Sequence, residues 1–313
     1  MQRIASLIES KYAYDRCIYG QNINVAVVDS GIKAHVDFQK EYISKLNRRI
    51  YGKNRLVAAY DAVNGKHMFY DDNGHGTHVA GIVGGYGNYF MGVAPACGLI
   101  SVKVLDKYGN GRIEDVIRGI EWILTNKKKY DIRIVNISVG SGTERKYSED
   151  SVLVESVDRL WDAGIIVLAA AGNNGPEPES IGAPGISRKI ITVGASDDSI
   201  IYYGRYKKSI RDYSGRGPTK NCIMKPDIVA PGANVKSCSN VGYTKYTMKS
   251  GTSMSTPVVS GAIALLLSKE PGMNNRDVKL RLKNTAIDLG LPHEKQGWGL
   301  INVRTLIEGE KLS

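Results

Sequence analysis

Short, continuous apolar runs are the feature that most constrains what this chain can fold into. They lie at 23–28, 99–105, 132–139, 164–171 and 189–194, and Val and Ile are frequent in them. Strands with one exposed face alternate apolar and polar residues, so continuous runs indicate strands that are covered on both faces, as in a parallel sheet. The runs are also too short to span a bilayer, and we expect no membrane-spanning segment.

Between these runs, apolar residues recur at helical spacing. One such face consists of Ile113, Val116, Ile117, Ile120 and Leu124. Further helices are predicted near 152–161, 258–267 and 278–282. Strand and helix in repetition predict a three-layer, doubly wound α/β fold, with a mainly parallel sheet and helices on both faces. The sequence has no linker or internal repeat, so we expect a single domain over residues 1–313.

The charge balance suggests partners rather than a fold. The chain has 42 Lys and Arg against 31 Asp and Glu, a formal net charge of +11. Residues 201–225 hold seven cations and one acid, a net charge of +6, with interleaved tyrosines. This composition occurs in nucleic-acid-binding patches. A solvated surface hairpin explains it more simply, so nucleic acid is not an expected partner.

The compartment is indicated by what the sequence does not contain. The N-terminal residues have no apolar segment of the length that a secretory signal needs. The four cysteines form no CxxC and no metal-ligand spacing: Cys17, Cys97, Cys222 and Cys238. We therefore expect a cytoplasmic protein with reduced thiols, and a secreted mature form is the alternative.

Three segments place reactive side chains where a strand ends or a helix begins. In VAVVDSGI, Asp29 ends an apolar run, and ligands of open α/β sheets bind beyond strand ends. In DDNGHGTHVAG, His75 and His78 lie among glycines; a zinc site is not expected because HExxH and a nearby third ligand are missing. In KSGTSMSTPVVSG, Ser253 precedes a helix that has Pro257 near its start. Free amides at that helix start favour an oxyanion.

Each segment has a plain structural explanation when it is taken alone, but their order is informative. VAVVDSGI, HGTHVAGI and SGTSMSTP resemble the three signatures of the subtilisin-like serine proteases, the subtilases, of bacterial type. The resemblance runs from about Asn22 to Asn302. It implies the same α/β fold and a serine endopeptidase that acts on protein or peptide substrates.

The resemblance also implies the role of individual residues. Asp29, His75 and Ser253 match the catalytic triad, and Asn173 in AAAGNNG matches the asparagine of the oxyanion hole. His78 matches a second histidine of the family, which is structural.

A substrate pocket is implied by further matches. Its residues are Ser138, Val139 and Gly140 on one wall, Ala170, Ala171 and Gly172 on the other, and Gly182 at the floor. These residues are small and uncharged, so a large apolar or aromatic side chain before the cut is expected. In YGNG, Gly109 and Gly111 match a strand that pairs with extended substrate.

Cofactors and partners follow from the same comparison. Asp37 matches an aspartate that helps to bind a structural calcium ion, but residues 84–92 offer Asn88 as their only polar side-chain oxygen besides Tyr. Calcium takes six to eight oxygens, so that site is doubtful. The chemistry itself requires no cofactor. No pro-domain is recognisable in this chain, and a separate pro-domain or inhibitor is an expected partner.

Two other functions remain open at this point. The chain could be a catalytically silent scaffold with the subtilase fold, although all four catalytic positions hold competent residues. It could also be a basic nucleic-acid-binding protein, a hypothesis that rests only on the net charge and on residues 201–225.

Overall fold

The fold is built around a parallel sheet of seven strands. A computed structural model describes residues 1–39, 55–87, 90–140, 150–198, 200–203 and 208–310. The sheet strands are β1 (Asn24–Asp29), β2 (Leu56–Asp61), β3 (Gly98–Lys103), β4 (Ile132–Ile137), β5 (Ile166–Ala170), β6 (Ile191–Ala195) and β9 (Ile228–Ala230). Their order is β2-β3-β1-β4-β5-β6-β9, and every neighbouring pair is parallel.

Two small antiparallel pairs complete the strands. They are β7 (Ile200–Tyr203) with β8 (Lys208–Arg211), and β10 (Val235–Cys238) with β11 (Tyr246–Lys249). The first pair lies in the basic segment, where a surface hairpin was expected, and its backbone is antiparallel as a hairpin requires.

Ten helices lie in the described ranges. They are α1 (Gln2–Leu7), α2 (Lys11–Tyr14), α3 (Val36–Gln39), α4 (His75–Gly84), α5 (Ile113–Asn126), α6 (Val152–Asp162), α7 (Thr252–Lys269), α8 (Asn275–Thr285), α9 (His293–Gln296) and α10 (Val303–Glu308). Helix α4 packs against α7, and α5 packs against α6. No helix in the described part of the chain is long and apolar enough to cross a membrane.

The predicted α/β fold with a mainly parallel sheet is confirmed. All six residues of β3 and all five of β5 are buried, as expected for strands that are covered on both faces. The apolar runs at 23–28, 132–139 and 189–194 each overlap a sheet strand. The sequence pattern missed β2, in which Val57 is exposed and Ala58 and Ala59 give a weak strand signal.

Candidate active site

The site lies at the carboxyl edge of three adjacent strands. Strands β1, β4 and β5 are neighbours and run in parallel, so their carboxyl ends meet at one edge. Asp29 is the last residue of β1, Ser138 follows β4 directly, and Asn173 lies three residues beyond the end of β5.

Asp29 and His75 form a hydrogen-bonded pair at the end of β1. The Asp29 carboxylate is fully buried, and His75 Nδ1 lies 2.8 Å from its Oδ1 and 2.9 Å from its Oδ2. The carboxylate can only accept, so Nδ1 carries the proton and Nε2 is the basic nitrogen of the neutral ring. Burial lowers the pKa of His75, but the charge of Asp29 and its hydrogen bond outweigh burial and raise it above the usual value.

The turn that carries His75 is held by Asp71. The Asp71 Oδ1 accepts hydrogen bonds from Ser30 Oγ (2.9 Å) and from the amides of Asn73 (3.1 Å) and Gly74 (2.7 Å). Its Oδ2 accepts from the amide (2.9 Å) and the hydroxyl (2.6 Å) of Thr77. One buried carboxylate thereby fixes the start of α4 relative to β1. The contact between Asp71 and Ser30, which lie 41 residues apart, depends on the fold.

Ser253 is the second residue of α7, so its backbone N–H is among the amides that have no acceptor within the helix. The Ser253 hydroxyl donates to the carbonyl oxygen of Ser138 (2.8 Å), which ties this helix end to β4. Attack on a substrate therefore requires the hydroxyl to rotate from Ser138 toward His75, and catalytic contacts are often completed only when substrate binds.

The position of Pro257 differs from the expectation. Pro257 is the sixth residue of α7 rather than a residue of its first turn. At that position proline removes a helical hydrogen bond, which would have ended on the carbonyl of Ser253.

Asn173 is oriented by Thr252, the residue before the serine. The Asn173 Oδ1 accepts from the amide (2.9 Å) and from the hydroxyl (3.1 Å) of Thr252. A backbone N–H can only donate, so the atom that faces it is the oxygen, and the Nδ2 group of Asn173 must point elsewhere. Gly251 lies beside that amide with φ +147°, and a Cβ there would come 3.2 Å from Nδ2. No sequence pattern indicated this role of Thr252.

These contacts give the site a lateral order. His75 is anchored at β1, Ser253 at the next strand, β4, and Asn173 at the strand after that, β5. Neighbouring strands lie about 4.8 Å apart. The serine is therefore flanked by a base on one side and by an amide donor on the other, an arrangement suited to acyl transfer.

The predicted pocket walls come together, with one correction. A Cβ on Gly140 would lie 3.6 Å from the carbonyl of Ala183, and one on Gly172 would lie 3.4 Å from the amide of Gly182. Ala171, predicted to line the pocket, is wholly buried, and its carbonyl accepts the amide of Gly182 (2.9 Å). It therefore supports the wall from behind rather than lining it.

The other lining positions divide by their exposure. Ala170 and Ser138 are 5% and 2% exposed, whereas Val139, Gly172 and Gly182 are partly exposed and Gly140 is exposed. The predicted lining positions that have exposed surface are thus three glycines and one valine, all uncharged.

The segment predicted to be a substrate-pairing strand is a turn over most of its length. Asp106 Oδ1 accepts the amides of Tyr108 and Asn110 (both 2.9 Å), and the amide of Asp106 donates to Asn110 O (2.8 Å). Gly109 lies in this turn with φ +83°, so it cannot be part of a strand. Gly111 lies beyond the turn, where a Cβ would come 2.6 Å from the side chain of Leu105.

Two further predictions concern His78 and the basic segment. His78 is buried, its Nε2 bonds to Val235 O (3.0 Å), and burial lowers its pKa to about 3, which fits a structural histidine. In the basic segment, Arg216 pairs with Asp212, and Lys225 is buried and pairs with Asp227 (2.6 Å). Side chains 201–211 lie outside the described residues. The two paired cations are therefore not part of a free basic surface.

Asp37, the expected calcium ligand, is buried beside nitrogen and sulfur donors. Its Oδ2 accepts the hydroxyl of Tyr246 (2.8 Å) and the thiol of Cys238 (3.8 Å), and lies 3.8 Å from His35 Nδ1. Its Oδ1 has no hydrogen-bond partner among the described residues. Asn88 lies outside them. Calcium prefers an all-oxygen shell, and this mixed donor set does not fit it.

Comparison with known proteins finds the same family in each case. The Subtilase family model matches residues 20–299. Serine protease AprX of Bacillus subtilis (strain 168) is 40% identical over 286 residues, and Subtilisin Savinase of Lederbergia lenta is 35% identical over 299. These matches cover 85% and 95% of this chain.

The lengths of the relatives differ. The chain spans 95% of Subtilisin Savinase but only 61% of AprX. A solved structure described as a cold adapted subtilisin-like serine proteinase superposes with a TM-score of 0.71 at 28% identity, covering 91% of this chain and 90% of that one.

Proposed function

The chain belongs to the subtilase family of serine proteases, and we propose that it is an active serine endopeptidase. The observation that carries this proposal is the lateral order of the site: His75 bonded to Asp29 at β1, Ser253 bonded to the end of β4, and Asn173 held beyond β5. A scaffold that had lost catalysis would have no need to keep base, nucleophile and donor in this order.

In the proposed reaction, Ser253 Oγ attacks the carbonyl carbon of the scissile peptide. His75 Nε2 takes the hydroxyl proton and then gives it to the leaving amine, and Asp29 stabilises the charged imidazolium. Water then attacks the acyl-enzyme by the same route and regenerates the serine. The triad performs this chemistry without a cofactor.

The negative charge that develops on the carbonyl oxygen needs donors placed in advance. The Ser253 backbone N–H and the Asn173 Nδ2 group are the two candidates. Because Thr252 fixes the Asn173 oxygen, the amide needs little reorganisation when the oxyanion forms, and donors of this kind lower the barrier most.

Specificity is proposed to favour a large apolar or aromatic side chain before the cut. The support is the set of small, uncharged surface residues at Val139, Gly140, Gly172 and Gly182. Substrate backbone would extend along residues 138–140 and past Gly111. Proteins or peptides are the proposed substrates, and a pro-domain or inhibitor would occupy the same groove. A cytoplasmic location stays part of the proposal.

Labelling with a serine-directed fluorophosphonate tests the activity. We expect one labelled residue in the wild type and no label in Ser253→Ala, with circular dichroism showing that both are folded. A folded wild type that takes no label contradicts the proposal. Peptides varied at the residue before the cut test the pocket, and strong selection for Arg or Asp there would contradict the proposed specificity.

A further inference from the structure

A second cluster of reactive side chains lies apart from the triad, around Asp37. It contains His35, Asp37 and Cys238, whose ligand atoms all lie within 4.8 Å of one another. All three side chains are fully buried. His35 directly precedes α3 and Asp37 lies within it, whereas Cys238 ends β10, about 200 residues later in the chain. The cluster offers an imidazole nitrogen, a carboxylate oxygen and a thiol sulfur.

The separations are close to those of a tetrahedral metal site. His35 Nδ1 and Cys238 Sγ each lie 3.8 Å from Asp37 Oδ2. With metal–ligand bonds of about 2.0–2.3 Å, tetrahedral zinc places its ligands roughly 3.3–3.6 Å apart. These two distances exceed the tetrahedral values by a few tenths of an ångström, and the third, between His35 and Cys238, is at most 4.8 Å.

The hydrogen bonds around the cluster favour metal binding in two ways. His35 Nε2 lies 3.0 Å from Lys245 O, which can only accept, so Nε2 carries the proton and Nδ1 keeps its lone pair. Histidines that bind metals commonly donate their other N–H in this way. In the structure that lone pair accepts a long hydrogen bond from the amide of Asp37 (3.2 Å), which a metal would replace.

The charges also match a divalent ion. Asp37 Oδ1 has no hydrogen-bond partner among the described residues, although its carboxylate is buried. A Zn²⁺ ion bound by one carboxylate, one thiolate and one neutral imidazole forms a neutral set of charges, and the buried guanidinium of Arg55, which donates to Asp37 O, lies beside this set. When the sulfur of Cys238 binds the metal, its thiol proton is released to solvent.

We propose that His35, Asp37 and Cys238 bind a zinc ion that ties the start of α3 to the β10–β11 hairpin. Tyr246 orients the carboxylate through its hydroxyl. The site is separate from the triad, so it stands or falls independently of the protease activity. Because the ligands are buried, the ion must enter during folding or local opening.

Zinc content and cobalt spectra test the site. The full chain carrying Ser253→Ala, which prevents self-digestion, is refolded with zinc and dialysed. We expect one zinc per chain, and Tyr246→Phe should weaken the affinity about 10- to 100-fold, as loss of an outer hydrogen bond does elsewhere. Refolding with Co²⁺ instead should give a sulfur-to-cobalt charge-transfer band.

Matched variants assign that band. Cys238→Ser should abolish it, whereas Cys97→Ser, which alters another buried free thiol, should leave it intact. Loss of the band in Cys222→Ser would instead indicate adventitious binding at an exposed thiol and overturn the proposal.

Three other results would also overturn the proposal. These are a refolded protein without zinc, a cobalt band that survives Cys238→Ser, and calcium binding that stabilises the wild type and Cys238→Ser equally. If Cys238→Ser does not fold, X-ray absorption of the zinc-loaded protein decides the question. One sulfur neighbour at about 2.3 Å is expected, and a shell of oxygen and nitrogen alone contradicts the proposal.

Discussion

Replacing Thr252 with valine tests how the oxyanion donor is held in place. The Thr252 hydroxyl donates to Asn173 Oδ1 (3.1 Å) and accepts the amide of Gly172 (3.1 Å). Valine keeps the branched shape and lacks the hydroxyl. The backbone amide of residue 252 still donates to Asn173 (2.9 Å), so the variant removes one of its two anchors.

The size of the effect follows from that count. One neutral hydrogen bond contributes about 0.5–1.5 kcal/mol. If the loss falls on the transition state, kcat drops about 2- to 13-fold at about 1.36 kcal/mol per tenfold, with little change in KM. Asn173→Ala removes the donor itself and should cost about 10²- to 10³-fold, the loss known for the matching asparagine of a subtilisin.

The assay is a double-mutant cycle on a chromogenic peptide with an aromatic residue before the cut. In the Asn173→Ala background, Thr252→Val should have a smaller effect than in the wild type, because only its contact with the Gly172 amide is left to lose. Thr256→Val is the matched control, since Thr256 is equally buried one turn along α7 and donates to Thr252 O (2.8 Å). A full Thr252→Val effect without Asn173, or an equal loss in Thr256→Val, would refute the reasoning.

Two further predictions concern pH and stability. The activity kcat/KM should rise with pH as His75 loses its proton, and the midpoint should lie above the usual value for histidine because Asp29 raises that pKa. Asp29→Asn should move the midpoint to lower pH. A pH profile in which the midpoint does not move contradicts this assignment. Asp71→Asn places an amide N–H against buried donors at 2.7–3.1 Å. In the Ser253→Ala background, urea unfolding should therefore show a free energy of unfolding that is lower by about 1.5–3 kcal/mol. Glu121→Gln is the comparison, because Glu121 forms an exposed ion pair with Arg159, and it should lower the free energy of unfolding by less than about 1 kcal/mol. Equal losses of stability in the two variants would contradict the role of Asp71.

Much of the fold was predictable because local patterns report burial. Continuous apolar runs predicted β1, β3, β4, β5 and β6, helical spacing predicted α5 and α6, and a long apolar run predicted α7. The structure has a turn at 106–110, where the resemblance predicts a strand that pairs with substrate. The turn forms because the Asp106 carboxylate accepts the amides of Tyr108 and Asn110. Likewise, composition could not indicate that the carbonyl of Ala171 accepts the amide of Gly182.

The sequence by itself indicated which residues are candidates for the proposed chemistry. Asp29, His75, Asn173 and Ser253 stand in short segments whose residue types are constrained by strand ends, glycine turns and a helix start. Such signals depend on residues that are neighbours in the chain, so they can be read from the sequence alone.

The tertiary structure alone decided how those residues are held and what else comes together. Asp71 meets Ser30, Thr252 meets Asn173, and Cys238 meets Asp37 across separations of 41, 79 and 201 residues. These contacts depend on strand order and on side-chain rotamers, which are fixed only when the whole core packs. No local pattern encodes them, and both the oxyanion donor and the proposed zinc site depend on them.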